Sequence, residues 1–545
     1  MTVPRLYHEL SLRSMQGRNL IVSQTKLMSQ LRSYLSKLVT DKTVDNAFNQ
    51  EVAQFLQKFQ PTINSISFWR YFDSQSETAL KKIDPSEKAE VIPVKDSPKE
   101  LKKVIPKWKE TSVIVSKESV AAQTHHILTL ITTATTNQSI LKRVEDLNTQ
   151  LNKHADAKHI AEKANAVRLL LRLRQKTTSH EIHSATNEAL SLLGYASPVK
   201  GRGIRVLSID GGGVRGILVI EMLKKLEELT GKRIQEMFDL ICGVSTGAII
   251  ASLVGVKQHT LDEISEIYKN LSIQIFTQSA LKGTSSLVWS HSYYDTALWE
   301  KLLQEKIGDQ TLISTSRSLD CPKLCILSAV INQSSLSAYV FRNYTLSCQV
   351  HSKYDGNHKH MIWEAVRASA AAPTYFEEFK LGNKLHQDGG ILFNNPTAVA
   401  IHEARLLWPE TPIQCVLSFG TGRTIPLPVD PKNLNSVSAS SWKSKFYAVI
   451  ESATDTEGVH TMLSDLLPDK IYYRFNPYLT EMLDIAEIDS KKLEQLRRDA
   501  VMYLRRNEDK FQEAARILNH EKTASQKVVD WLGLQKEILG LKMIR

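Results

Sequence analysis

Residues 206–247 read VLSIDGGGVRGILVIEMLKKLEELTGKRIQEMFDLICGVSTG, and their pattern decides the fold. Val206, Leu207 and Ile209 form an apolar strand that runs into Asp210-Gly211-Gly212-Gly213-Val214-Arg215-Gly216. Val219, Met222, Leu223, Leu226 and Leu229 then recur on one face of a helix that closes at Gly231. A second apolar strand, Phe238 to Cys242, leads into Gly243-Val244-Ser245-Thr246-Gly247 and an apolar run to Val256. Strands alternating with helices predict an α/β sheet flanked by helices. If neighbouring strands are parallel, both turns open at the same carboxyl edge, where such sheets place their sites.

Each turn suits one half of an acyl transfer. Gly243-Val244-Ser245-Thr246-Gly247 has the G-x-S-x-G pattern of a nucleophile elbow, in which a sharp turn lifts a serine hydroxyl clear of the sheet. Gly243 and Gly247 leave room where strand and helix converge. Attack of Ser245 on an ester would create an oxyanion, and the amides of Gly211, Gly212 and Gly213 are the natural donors to it. The loop also satisfies G-x-G-x-x-G. However, the next strand ends at the elbow rather than at a ribose-binding acid, which tells against a dinucleotide site. A serine nucleophile needs a base. His402, His460 and His520 lie downstream, none in a glycine-rich turn. The alternative is Asp388, in His386-Gln387-Asp388-Gly389-Gly390, although that motif taken alone reads as a plain turn.

Further strands are expected at Leu324 to Ile331, Ala338 to Phe341 and Gln414 to Phe419. Five regions follow: a basic, partly helical segment 1–80, a lysine- and proline-rich linker 81–112, a helical region 113–200, an α/β domain 201–430 and a helical extension 431–545. In the helical region, Ile127, Leu128, Ile131 and Leu169 to Leu173 are core candidates, Gly194 is a helix cap, and short helices in series suggest an armadillo-like solenoid. In the extension, Leu493, Leu496 and Val501 are expected to face the core.

The formal charge of +11 favours anionic partners, nucleic acid or acidic lipid. Five cysteines are too few for a disulfide framework, and Cys321 and Cys325 lack a second pair to complete a zinc site. No run is long and apolar enough to span a membrane. The first 40 residues carry six basic groups against Glu9, a composition like a transit segment as much as a basic helical surface.

The ordered set D-G-G-G-x-R-G, G-x-S-T-G, Ala368 to Phe376, Asp388-Gly389-Gly390 before Asn394-Asn395-Pro396, and Ser418 to Gly422 resembles the patatin-like phospholipase family. Residues 289–295, Phe341 to Tyr344 and Ser452 to Glu457 resemble its calcium-independent phospholipase A2 gamma branch. The resemblance implies a three-layer α/β/α domain with a mainly parallel sheet, and hydrolysis of glycerophospholipid acyl esters to fatty acid and lysophospholipid. It implies Ser245 as nucleophile, Asp388 as base, Gly211, Gly212 and Gly213 as oxyanion hole, and no cofactor or metal. Asp210, Gly216, Gly243, Gly247, Gly389 and Gly390 would support the turns, and Arg215 would steady its turn or meet phosphate. Partners would be membrane phospholipid and an anionic membrane surface, and not nucleic acid; Trp289 and Trp299 are contact candidates, with buried packing the favoured role of each, and the helical region could dock proteins. Mitochondrial or endoplasmic reticulum membranes are expected, and peroxisomes less so, because the sequence ends Met543-Ile544-Arg545. Lysophospholipase, neutral-lipid hydrolase, transacylase and an idle docking module remain alternatives.

Overall fold

The computed structural model describes residues 116–277, 294–423, 456–481 and 483–540. The segments expected at 1–80 and 81–112, and Trp289, lie outside the described residues. The fold that follows belongs to one compact unit, Val120–Gln526 with Asp530–Arg545. No described helix is long and apolar enough to cross a membrane.

The described strands are β1 (Ile204–Ile209), β2 (Leu240–Val244), β3 (Lys323–Val330), β4 (Ser337–Arg342), β5 (Asp355–Asn357), β6 (Phe379–Leu381), β7 (Lys384–Asp388), β8 (Ile413–Phe419) and β9 (Tyr472–Phe475). They form one sheet in the order β5-β4-β3-β2-β1-β8-β9, with β6 and β7 off this path. β1 pairs in parallel with β2 and β8, β2 with β3, and β8 with β9. β4 and β7 both run antiparallel to β3, and β6 pairs with β7. The central strands are buried along nearly their whole length, and mostly apolar, because both faces are covered. Leu207, Ile209, Ile241, Ile326 and Leu417 feed a core shared with helices Gly216–Thr230, Thr246–Gly255 and Ile362–Ser369. The alternate residues Val206, Cys242, Leu327 and Val416 feed the opposite core, with helix Thr397–Leu407. This is a three-layer α/β/α fold with a mainly parallel sheet.

Among the described residues, five helices precede it: Lys117–Thr133, Asn137–Lys153, Ala155–Lys163, Ala166–Lys176 and His180–Leu192. Ile127, Leu128, Ile131, Leu147, Leu170, Leu171 and Leu190 make their common core. The last helix ends as expected: Gly194 is left-handed, its N–H reaches Ser191 O and the Tyr195 N–H reaches Leu190 O. All five cysteines are free.

Two expectations for the C-terminal part need correcting. It is not wholly helical, because β9 adds an edge strand to the sheet beside β8. Val501 is 41% exposed, while Leu496 is buried. Helix Ser490–Arg506 is strongly amphipathic with a narrow apolar stripe, and Val501 falls on its wet side.

Candidate active site

The strand register brings the two key side chains together. β2 runs alongside β3 only to the pair Val244–Leu327. One residue on, β7 takes over along β3, with Asp388 opposite Ser328. Ser245, the first residue beyond β2, therefore meets Asp388, the last residue of β7. Ser245 Oγ donates a 2.6 Å hydrogen bond to Asp388 Oδ2. The second carboxylate oxygen accepts the Gly390 N–H at 2.8 Å. Burial pushes the Asp388 carboxyl up to about 6, partly offset by the hydrogen bonds from Ser245 and Gly390. His402 Nε2 accepts the Lys353 N–H, and the His460 ring contacts Ser464. Among the described residues, no histidine ring hydrogen-bonds to Ser245.

The elbow is strained and tightly packed. Ser245 has φ 53° and ψ −121°, a conformation that costs a residue with a Cβ on the order of 1 kcal/mol or more. A Cβ on Gly243 would overlap the Gly247 carbonyl, and one on Gly247 would overlap that of Ile209. The Ser245 N–H donates to Ser369 Oγ at 2.8 Å, and Ser369 Oγ donates to Leu327 O at 2.6 Å. Ser369 thus fixes the serine backbone to β3; the Ala368 to Phe376 motif carried this residue, but not its role, in the sequence. Gly389 packs against Leu327 O, which leaves no room there for a side chain.

The glycine loop lies against the serine: a Cβ on Gly211 would stand 3.1 Å from Ser245 Cβ. The expectation of three oxyanion donors is corrected for Gly211. Its N–H is turned to Asn394, 3.1 Å from Oδ1. Among the described residues, the amides of Gly212 and Gly213 donate to no protein acceptor, so they are the donors left for a ligand. Arg215 Nε donates to Gly212 O at 3.1 Å, which steadies the turn. The Tyr268 hydroxyl bridges Gly213 O and Thr246 Oγ1, tying the loop to the elbow helix. Gly216 lets that tyrosine in: a Cβ there would come within 2.7 Å of its hydroxyl. Asp210 is buried and paired with Arg474 at 2.7 Å. Burial pushes its carboxyl to about 6, opposed by Arg474.

Beside Ser245 opens a mainly apolar cavity, walled by Ile249, Leu271, Ile275, Phe276, Trp299 and Phe376. Trp299 is 3% exposed and stacks on Phe376 at 5.7 Å, so it is a cavity wall and not a membrane contact. The Phe341 to Tyr344 motif is structural: Arg342 and Tyr344 both hold the buried Glu403. Of residues 289–295, only Tyr294 and Asp295 are described. Tyr294 stacks on Tyr375, and Asp295 caps helix Thr296–Ile307.

Fold and site define the class: a three-layer α/β/α protein whose strand-to-helix serine faces a buried aspartate, an apolar cavity and a glycine loop with free amides. Residues 207–401 match the family model described as patatin-like phospholipase. It is 43% identical over 426 residues to calcium-independent phospholipase A2-gamma of Rattus norvegicus, covering 78% of this chain and 54% of that protein. The human protein of the same name is 41% identical over 468 residues, 86% of this chain and 59% of its own length. Phospholipase A I of Arabidopsis thaliana is 34% identical over 373 residues, 57% of this chain and 28% of its own. The chain thus spans little more than half the length of the first two relatives.

Proposed function

We propose that this chain is a calcium-independent phospholipase that hydrolyses acyl esters of membrane glycerophospholipids through a Ser245–Asp388 dyad. The observation that carries the reading is the 2.6 Å hydrogen bond to a buried carboxylate from Ser245 Oγ, whose residue lines an apolar cavity. The acyl chain lies in that cavity, with its ester carbonyl over Ser245. Asp388 takes the Oγ proton as Oγ bonds to the carbonyl carbon, and the electron pair moves onto oxygen. The Gly212 and Gly213 amides hold that oxyanion. Collapse expels the lysophospholipid alkoxide, which receives the proton from Asp388. Water then attacks the acyl-enzyme with Asp388 as base, and fatty acid leaves as Ser245 regains its proton. A carboxyl near 6 is ionised at neutral pH yet more basic than an ordinary aspartate, as this work requires.

Phospholipid as substrate and calcium independence are supported by the names of the relatives. The net charge of +11 supports work at an anionic membrane surface. Mitochondrial or endoplasmic reticulum membranes as the place of work rest on the branch resemblance. The test is mass spectrometry of phosphatidylcholine vesicles incubated with purified protein in excess chelator, beside Ser245→Ala. Fatty acid plus lysophospholipid from the wild type alone is expected. Equal product from the alanine variant would overturn the assignment.

A further inference from the structure

The family model ends at residue 401, but the glycine loop does not stand on residues 207–401 alone. Its opening residue, Asp210, is clamped from β9: Arg474 Nη2 donates to Asp210 Oδ2 at 2.7 Å, and Nη1 donates to Ser418 Oγ at 2.9 Å. Both partners of the ion pair are only 2% exposed. The next residue is held from the turn after β8, where Thr421 Oγ1 donates to Gly211 O at 2.6 Å. The far end is held from Ile485, whose carbonyl accepts the Val214 N–H at 3.0 Å. Ile485 also lines the cavity at Ser245, and its neighbour Asp484 accepts a hydrogen bond from Tyr375 on the cavity wall. The two free amides, Gly212 and Gly213, sit between these fixed points.

We infer that Arg474 is a positioning residue for the reaction proposed above: through Asp210 it sets where the Gly212 and Gly213 amides point, so the working catalytic unit extends at least to Ile485. The physical reason is that an oxyanion donor acts only if it is preorganised, and a loop of three consecutive glycines has no side chains to hold it. The clamp supplies what the loop lacks. Asp210 and Arg474 do not touch substrate. Their loss should therefore lower the rate of the chemical step and leave substrate binding in the cavity nearly unchanged.

Arg474→Met alone strands a buried carboxylate, so the test uses Asp210→Asn with Arg474→Met, which removes both charges together. The readouts are melting temperature, kcat and KM on phosphatidylcholine vesicles, and the rate at which a fluorophosphonate labels Ser245. The double variant is expected to fold, to lose at least tenfold in both kcat and labelling rate, and to keep KM within about twofold. Arg474→Lys, which keeps one charge on Asp210 but cannot also reach Ser418 as a fork, should fall between the two. A folded double variant that labels and turns over within twofold of wild type overturns the inference. Should the double variant not fold, Arg474→Lys carries the test, with a threefold or greater fall in kcat at a nearly unchanged KM expected and an unchanged kcat refuting it. Failure of the wild type itself to label or hydrolyse would strike the proposed function instead, so the two outcomes are separable.

Discussion

Asp388→Asn should abolish most activity and at the same time stabilise the protein. The amide is isosteric: its oxygen can accept the Gly390 N–H, and its NH₂ can donate to Ser245 Oγ, so the hydrogen-bond geometry survives. What disappears is the ability to take a proton. Loss of a general base costs roughly 10²–10⁴-fold, or about 3–5 kcal/mol of barrier. Stability moves the other way. The native carboxyl sits at about 6, above its ordinary value of 3.8, because burial disfavours the charge. A raised carboxyl contributes stability that is present at low pH and is lost as pH rises through about 6. Asparagine removes that dependence, so the variant should gain up to about 3 kcal/mol at pH 8 and roughly half of that at pH 5. Denaturant melts at the two pH values measure the gain. A pH–rate profile measures the other side: wild-type kcat/KM should fall with unit slope below about pH 6. The residual rate of the variant should show no such inflection. A variant with near wild-type turnover, or one that is less stable at pH 8, would refute the reasoning.

Three further outcomes are expected. Ser245→Gly should relieve the backbone at φ 53° by about 1 kcal/mol but strip Asp388 of its 2.6 Å hydrogen bond at a cost of about 1–3 kcal/mol, so thermal melting should show no net gain in stability at pH 8 while fluorophosphonate labelling disappears. Gly247→Ala forces a Cβ into the Ile209 carbonyl, backbone against backbone, and should cost at least about 3 kcal/mol by thermal or denaturant melting, or yield no soluble protein. Leu271→Trp narrows the cavity beside Ser245, so kcat/KM should fall by tenfold or more for long-chain esters and by little for acetyl or butyryl esters, measured on a chain-length series.

The sequence by itself determined the central strands and the elbow. β1, β2, β3 and β8 are buried on both faces and so read as mostly apolar runs, broken only by single polar residues such as Ser208, Ser328 and Ser418, and their bounds are correct to within a few residues. Ser245 was visible because its turn needs small residues on both sides, which writes the need for space directly into G-x-S-x-G. Asp388 was visible only as a candidate beside three histidines, since D-G-G by itself encodes a turn. The exchange of β2 for β7 along β3 is what brings the carboxylate to the serine, and strand pairing is a tertiary fact. The same holds for the glycine loop: three glycines look alike in sequence, but Asn394 withdraws the amide of Gly211 and leaves the other two. β9 is only four residues long and carries the buried Arg474 within it, so its aromatic run Tyr472-Tyr473-Arg474-Phe475 is easily passed over as sheet. Arg474 reaches Asp210 across 264 residues of chain, and Thr421 reaches Gly211 across 210. Local physics leaves its mark in neighbouring residues, whereas the partner of a buried charge is chosen by the packed fold, and only the tertiary structure names it.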